Sequence, residues 1–264
     1  MTSTLQLHAV SLRVADLARS LKFYVGQLGF VAVESTPTSA ALATSPGGPA
    51  LLTLIEDRSA QPAPREAAGL FHAALLLPGH AALGAWLRHA VNAGVSFDGF
   101  SDHGVSEALY FHDPEGNGLE FYADRPRDAW PFDQAGQLAM GSDPIDLEKL
   151  LADAAPANAS PLAGARWGHL HLRVTSLDRS DAYYRRTLGL TLMQDSFAGA
   201  RFLAADGYHH HLGLNIWGRP RQAQPANALG LAEATFARTG PAGDERFTDP
   251  DGIHVRLLAS PSLP

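Results

Sequence analysis

Three side chains in this sequence are of the right types to hold a metal together: His72 in GLFHAALLL, His169 in WGHLHLRV and Glu120 in GNGLEFYAD. Each lies in an apolar run that reads as a strand. A strand sends residues i and i+2 to one face, so first-strand and last-strand residues of neighbouring units can converge inside a curved sheet. Two histidines and one carboxylate, leaving coordination positions open, form the facial triad used for non-haem Fe(II) and its oxygen chemistry; Mn, Ni or Zn also suit these ligand types. A lone carboxylate in an apolar strand ordinarily faces solvent, and only its combination with the two histidines gives Glu120 a different reading.

Oxygen insertion into a ring also needs a group that takes and returns a proton near neutral pH, a task for histidine. The run Tyr208 to Trp217, YHHHLGLNIW, supplies one. Read as the start of a strand, it turns His210 toward the cavity as acid/base, with His209 and His211 on the opposite side. Upstream of Glu120, SDHGVSEALYF offers His103 and Tyr110, the latter ten residues before Glu120 on the hairpin partner of its strand. A phenol there can hydrogen-bond a substrate oxygen or simply pack as an aromatic. His112 abuts a turn and is expected to be exposed, His80, His89 and His254 take surface or helix roles, and Asn215 is a poor fourth ligand.

The elements that must position these groups come from a repeat. Shifted by 160 residues, LRVADLARSLKFYVGQLGF (Leu12 to Phe30) falls on LRVTSLDRSDAYYRRTLGL (Leu172 to Leu190), with nine of nineteen positions identical. Both read as a strand, a helix opening at Asp16 or Ser176, and a glycine, Gly29 or Gly189, where a left-handed residue ends the helix. Tyr24 and Tyr184 occupy matching turns, and DPEG (113–116) echoes DPDG (249–252). The chain is therefore expected to be α+β: four paired βαβββ modules, the fourth truncated, forming two open barrel-like sheets. Residues 1–126 hold modules one and two, 127–165 form a connector with a short helix in DPIDLEKLLADAA, and 166–264 hold module three and the truncated module four.

The repeat register puts Ala9 where His169 sits, Glu233 where His72 sits and Arg256 where Glu120 sits, so one site is complete and its twin empty. His8 is one residue out of register, which turns it to the other face unless a bulge intervenes. Pairing modules two and three across the connector brings His169 to His72 and Glu120. That pairing is the one expected, with modules one and four forming the degenerate barrel. The edges of the shortened module leave strands that could pair with a second copy in a homodimer.

Composition narrows the function classes. At 264 residues the chain is long enough for roughly two cores. A net charge of -7 with no basic run argues against nucleic acid, and no apolar run is long enough to span a membrane. With zero cysteines any metal must be held by N and O ligands. The N-terminus MTSTLQLHAVSLRV lacks a basic stretch followed by a long apolar core, so a soluble cytoplasmic protein is expected.

Together, GLFHAALLLP, SDHGVSEALYFHDPEGNGLEFYADRPRDAW, GHLHLRVTSL and GYHHHLGLNIWG resemble the catechol 2,3-dioxygenase family within the vicinal oxygen chelate (glyoxalase/bleomycin resistance/dioxygenase) superfamily. The likeness runs over about residues 8 to 218. It implies an Fe(II) centre, a small aromatic diol and O2 as reactants, and extradiol ring cleavage. Carried over position by position, it implies His72, His169 and Glu120 as iron ligands, His210 as acid/base, and His103 and Tyr110 as groups contacting substrate or oxygen. Two other functions live in this superfamily: a metal-dependent glyoxalase-type isomerase or lyase, and a metal-free drug-binding protein.

Overall fold

The computed structural model describes residues 4–134, 136–156 and 160–261. Module one comprises β1 (Leu5–Val14), α1 (Leu17–Tyr24), β2 (Val31–Ser35), β3 (Ser39–Ala43) and β4 (Leu52–Glu56). Module two follows with β5 (Gly69–Leu76), α2 (His80–Asn92), β6 (Phe97–Asp102), β7 (Ser106–His112) and β8 (Gly118–Asp124). The connector carries α3 (Leu147–Ala152). Module three is β9 (Arg166–Arg173), α4 (Leu177–Leu188), β10 (Thr191–Gln194), β11 (Ala200–Ala204) and β12 (Leu212–Asn215). Module four keeps only β13 (Gly230–Thr239), β14 (Gly243–Thr248) and β15 (His254–Ser260), without a helix.

These modules make two mixed, open sheets. An eight-stranded sheet runs β10-β11-β12-β9-β5-β8-β7-β6, joining modules two and three, and a seven-stranded sheet runs β14-β15-β13-β1-β4-β3-β2, joining one and four. Each sheet thus draws on both halves of the chain. The same buried bond ties the sheets together twice: the Tyr24 hydroxyl donates to Asp113 Oδ2 and the Tyr184 hydroxyl to Asp249 Oδ2, each at 2.9 Å. Two echoes in the sequence, the helical tyrosines and the DPEG/DPDG turns, are the two ends of one hydrogen bond.

The helices begin where their caps stand. Asp16 accepts from the Arg19 N–H at the start of α1 and Ser176 from the Arg179 N–H at the start of α4. Gly189, at φ 70°, ends α4 as expected. Helix α1 instead stops at Tyr24, and Gly29 (φ 93°) closes the wide turn behind it, where the Phe30 N–H reaches the Tyr24 carbonyl at 3.0 Å.

Strand alternation sorts the eight-stranded sheet into a core face and a cavity face. Ala73, Leu75, Leu119, Phe121 and Leu170 join the main core, where Trp86 of α2 lies 4.3 Å from the Phe121 ring. Each buried Leu or Phe among them contributes roughly 1.5–3 kcal/mol and anchors its strand. The intervening residues His72, Ala74, Tyr110, Glu120 and His169 lie on the other face.

One expectation needs correction. The run Tyr208 to His211 is not strand: β12 begins only at Leu212, so period-two alternation does not govern where the three histidines point. His8 sits at a register shift between Leu7 and Ala9 in the seven-stranded sheet, near Arg256 and outside the His72 cluster. In that sheet Thr235 pairs with both Ala9 and Arg256, as Ala74 pairs with His169 and Glu120 in the other. Glu233, two residues before Thr235, ion-pairs with Arg246 at 3.4 Å, so the twin position holds a salt bridge.

Candidate metal centre

Strand β5 lies between β8 and β9, and its Ala74 stands in register with Glu120 on one side and His169 on the other. A methyl at this position leaves open the space above the strand. Into that space point His72 from β5, Glu120 from β8 and His169 from β9, at 7%, 2% and 1% exposure. Glu120 Oε2 lies 3.0 Å from His72 Nε2 and 3.1 Å from His169 Nε2. One donor atom from each of the three residues lies within 4.8 Å of the others.

The electrostatics leave Glu120 and His169 in their ligand forms. Burial opposes charge on Glu120, but the facing His169 and His72 overrule it and hold its carboxyl well below the usual range. Burial lowers the His169 imidazole to about 4, against the pull of Glu120, so it is neutral at pH 7. A deprotonated carboxylate and a neutral imidazole are what a metal requires. His72 Nε2, despite its distance from Glu120, makes no geometrically sound hydrogen bond, and His169 Nδ1 has no partner among the described residues. Buried nitrogens normally have one. The donor set and its orphaned nitrogen therefore fit a cation held between the three side chains.

His210 lies directly against this cluster, its ring centroid 4.0 Å from that of His169. It is buried and lines the cavity. Burial, reinforced by the neighbouring histidines, pushes its pKa well below the ordinary value. His209, expected to point away, is instead fully buried behind it: His209 Nδ1 is 2.7 Å from His210 Nδ1, and His209 Nε2 is 2.9 Å from Asp124 Oδ1. The loop conformation of 208–211 allows both rings to turn inward. His211 faces elsewhere, where its Nδ1 accepts the Ala205 N–H at 3.2 Å.

On the opposite wall Tyr110 of β7 stands directly across from Glu120. Its hydroxyl is 2.7 Å from His103 Nε2, while His103 Nδ1 is 2.7 Å from the Gly141 carbonyl of the connector. A carbonyl only accepts, so Nδ1 carries the proton, and in the neutral ring Nε2 accepts the Tyr110 O–H. Burial and then the Glu120 charge raise the Tyr110 phenol well above its usual pKa. Tyr110 and His103 are thus one hydrogen-bonded unit, and the connector fixes its direction.

One residue of this site was missed by sequence reasoning. His171, two residues beyond His169, shares its face and pairs across from His72, with ring centroids 4.9 Å apart. Its room comes from Gly213, where a Cβ would come within 2.7 Å of the His171 ring. The signal was present in the spacing HLH. His112 bonds Asp98 at the exposed rim, His80 lies between Glu107 and Asp153, His89 reaches the Gln27 carbonyl and His254 the Thr248 hydroxyl. Asn215 spends its Oδ1 on the Trp217 N–H.

The cluster opens into a cavity of about 390 Å³. Phe71, Phe197, Phe202 and Trp217 form its aromatic side, and among the described residues no Lys or Arg lines it. Residues 6–121 match the profile of the Glyoxalase/Bleomycin resistance protein/Dioxygenase superfamily. A catechol-2,3-dioxygenase of Bacillus subtilis (strain 168) is 43% identical over 225 residues, covering 83% of this chain and 78% of that protein. The chain belongs to this catechol-2,3-dioxygenase-like family. It is accordingly an enzyme of the extradiol dioxygenase type. In fold it resembles a provisionally assigned dioxygenase from Bacillus subtilis subsp. subtilis str. 168 (TM-score 0.65, 12% identity, 99% of this chain and 87% of that one). It also resembles glyoxalase I from Zea mays (TM-score 0.59, 17% identity, 97% and 93%). Family membership implies a metal, and the three buried donors are where this chain could hold it. Among the described residues no helix is long and apolar enough to cross a membrane.

Proposed function

We propose that this enzyme is an Fe(II)-dependent extradiol dioxygenase that opens catechol-like aromatic rings with O2. The observation that carries the reading is the convergence of His72, Glu120 and His169 in a buried cluster with a histidine, His210, packed against one ligand and a phenol, Tyr110, opposite another. The similarity to a protein named catechol-2,3-dioxygenase supports it.

In this reading His72, His169 and Glu120 hold the iron. Fe(II) held there would supply a Lewis acid able to bind and activate the diol and O2. His210 takes a diol proton at Nε2, the nitrogen not engaged by His209, and returns it later. The Tyr110 oxygen, its own proton directed to His103, offers lone pairs to a substrate hydroxyl. The aromatic wall packs the ring and excludes water. A cavity without Lys or Arg favours diols whose ring substituents are uncharged.

An isomerase of the glyoxalase type would use the same three ligands, but has less need of His210 beside them. A metal-free drug-binding role leaves three convergent buried donors without a purpose. Apoprotein loaded anaerobically with Fe(II), then mixed with catechol and O2, is expected to give the yellow ring-fission product. Iron-loaded protein that gives no colour with catechol or several substituted catechols would overturn the dioxygenase assignment in favour of the isomerase. Glu120→Ala is expected to lose iron; full retention would remove the proposed centre.

A further inference from the structure

Behind His210 lie two polar groups outside the cavity lining, Asp124 and His209, the latter edge-on to the His169 ring at 6.2 Å. We propose that they are positioning residues: the Asp124 carboxylate, acting through His209, fixes the tautomer and orientation of His210 so that its unprotonated Nε2 faces the cavity. The part of this proposal that concerns catalysis rests on the dioxygenase reading; the tautomer itself does not.

The bonding order follows from donor and acceptor chemistry. A carboxylate only accepts, so the 2.9 Å contact to Asp124 places a proton on His209 Nε2. With a single proton on His209, Nδ1 keeps a lone pair, and the 2.7 Å contact to His210 Nδ1 places the next proton on His210. His210 Nε2 is left bare, and no described protein group occupies it. An acceptor two rings away thus determines which nitrogen of His210 is the base. A carboxylate that selects an imidazole's tautomer is an established way to set up a base of this kind.

The relay also answers a need created by the backbone. Residues 208–211 are loop, so strand geometry does not aim His210. Packing and bonding must do it instead. The His209 ring packs against Tyr208 at 4.0 Å and Trp130 at 5.4 Å, and the Tyr208 hydroxyl donates to Asp124 at 3.0 Å. Asp124 is the last residue of β8, the strand that carries Glu120. One strand therefore sets both the metal ligand and the anchor of the base. A carboxylate four residues from a ligand on the same face keeps the two in a constant relation.

The test combines a spectroscopic and a kinetic readout on the full chain. In 15N-histidine spectra of the Zn(II)-loaded protein, with the His210 signals assigned by loss in His210→Gln, wild type is expected to show Nδ1 protonated and Nε2 bare. His209→Phe keeps a ring but removes the acceptor; it should mix the His210 tautomers and lower kcat about 10- to 100-fold with KM within about 3-fold. His209→Asn, whose Oδ1 stands near the place of Nδ1, should recover most of both. If His209→Phe unfolds, Asp124→Asn serves as the second variant: its amide can donate to His209 Nε2 and should invert the relay, lowering kcat without loss of bound metal. The proposal is overturned if wild-type His210 carries its proton on Nε2. It is also overturned if the tautomer is unchanged in His209→Phe, or if His209→Asn is as damaged as His209→Phe. A tautomer that shifts as described in a protein inactive toward catechols would uphold the positioning and count against the dioxygenase reading alone.

Discussion

Tyr110 lies directly opposite Glu120 in the β7–β8 ladder, with its hydroxyl turned to His103 at 2.7 Å. The phenol is therefore oriented by a histidine that is itself oriented by the Gly141 carbonyl. Tyr110→Phe removes the hydroxyl and leaves the ring. Steady-state ring-fission kinetics should show kcat reduced about 10- to 100-fold, with iron content by metal analysis unchanged. Loss of iron instead would make Tyr110 a structural support of Glu120.

The absence of Lys and Arg from the cavity lining, among the described residues, predicts a substrate preference. A carboxylate brought into an apolar, water-poor site without a cationic partner is costly. Catechols bearing a ring carboxylate should show kcat/KM at least about 10-fold below those bearing an alkyl or aryl group of similar size. Equal values for the two series would mean that the cavity does not select on charge.

Gly213 is required by His171 rather than by its own backbone. A Cβ at 213 would stand 2.7 and 2.8 Å from His171 ring carbons, so Gly213→Ala must displace the ring toward His72. Overpacking of this kind costs about 1–3 kcal/mol. Urea unfolding should register that loss, and iron affinity should fall with it; an unchanged midpoint would show that the ring can move freely.

His211 should make the protein sensitive to acid. Burial lowers its pKa to about 3 in the folded chain, whereas an unfolded histidine titrates near 6.5. Below pH 6.5 the unfolded chain binds the extra proton, so stability falls as pH drops, by up to about 1.4 kcal/mol per unit until the folded pKa is reached. His211→Asn can still accept the Ala205 N–H and should flatten the slope between pH 6.5 and 4 by about one proton. Parallel curves for wild type and variant, measured by urea unfolding of metal-free protein, would refute the assignment.

Much of this molecule was legible without coordinates because strand and helix signals are local. Alternation places His72, Glu120 and His169 on one face of their strands whatever surrounds them, since successive side chains on a pleated backbone must point to opposite sides. The 160-residue repeat located the modules, their caps at Asp16 and Ser176 and the empty twin at Ala9, Glu233 and Arg256. His171 could have been found by the same alternation, two residues from His169. Only the fold decided what depends on partners distant in the chain. The inward turn of His209 comes from a carboxylate 85 residues away. Asp124 itself, at a strand end, reads in sequence as an ordinary solvated acid. The direction of Tyr110 depends on a connector carbonyl that no periodicity predicts. Period two is set by covalent geometry and needs no neighbours, whereas a loop side chain takes its direction from whatever packing and hydrogen bonds the tertiary structure brings to it.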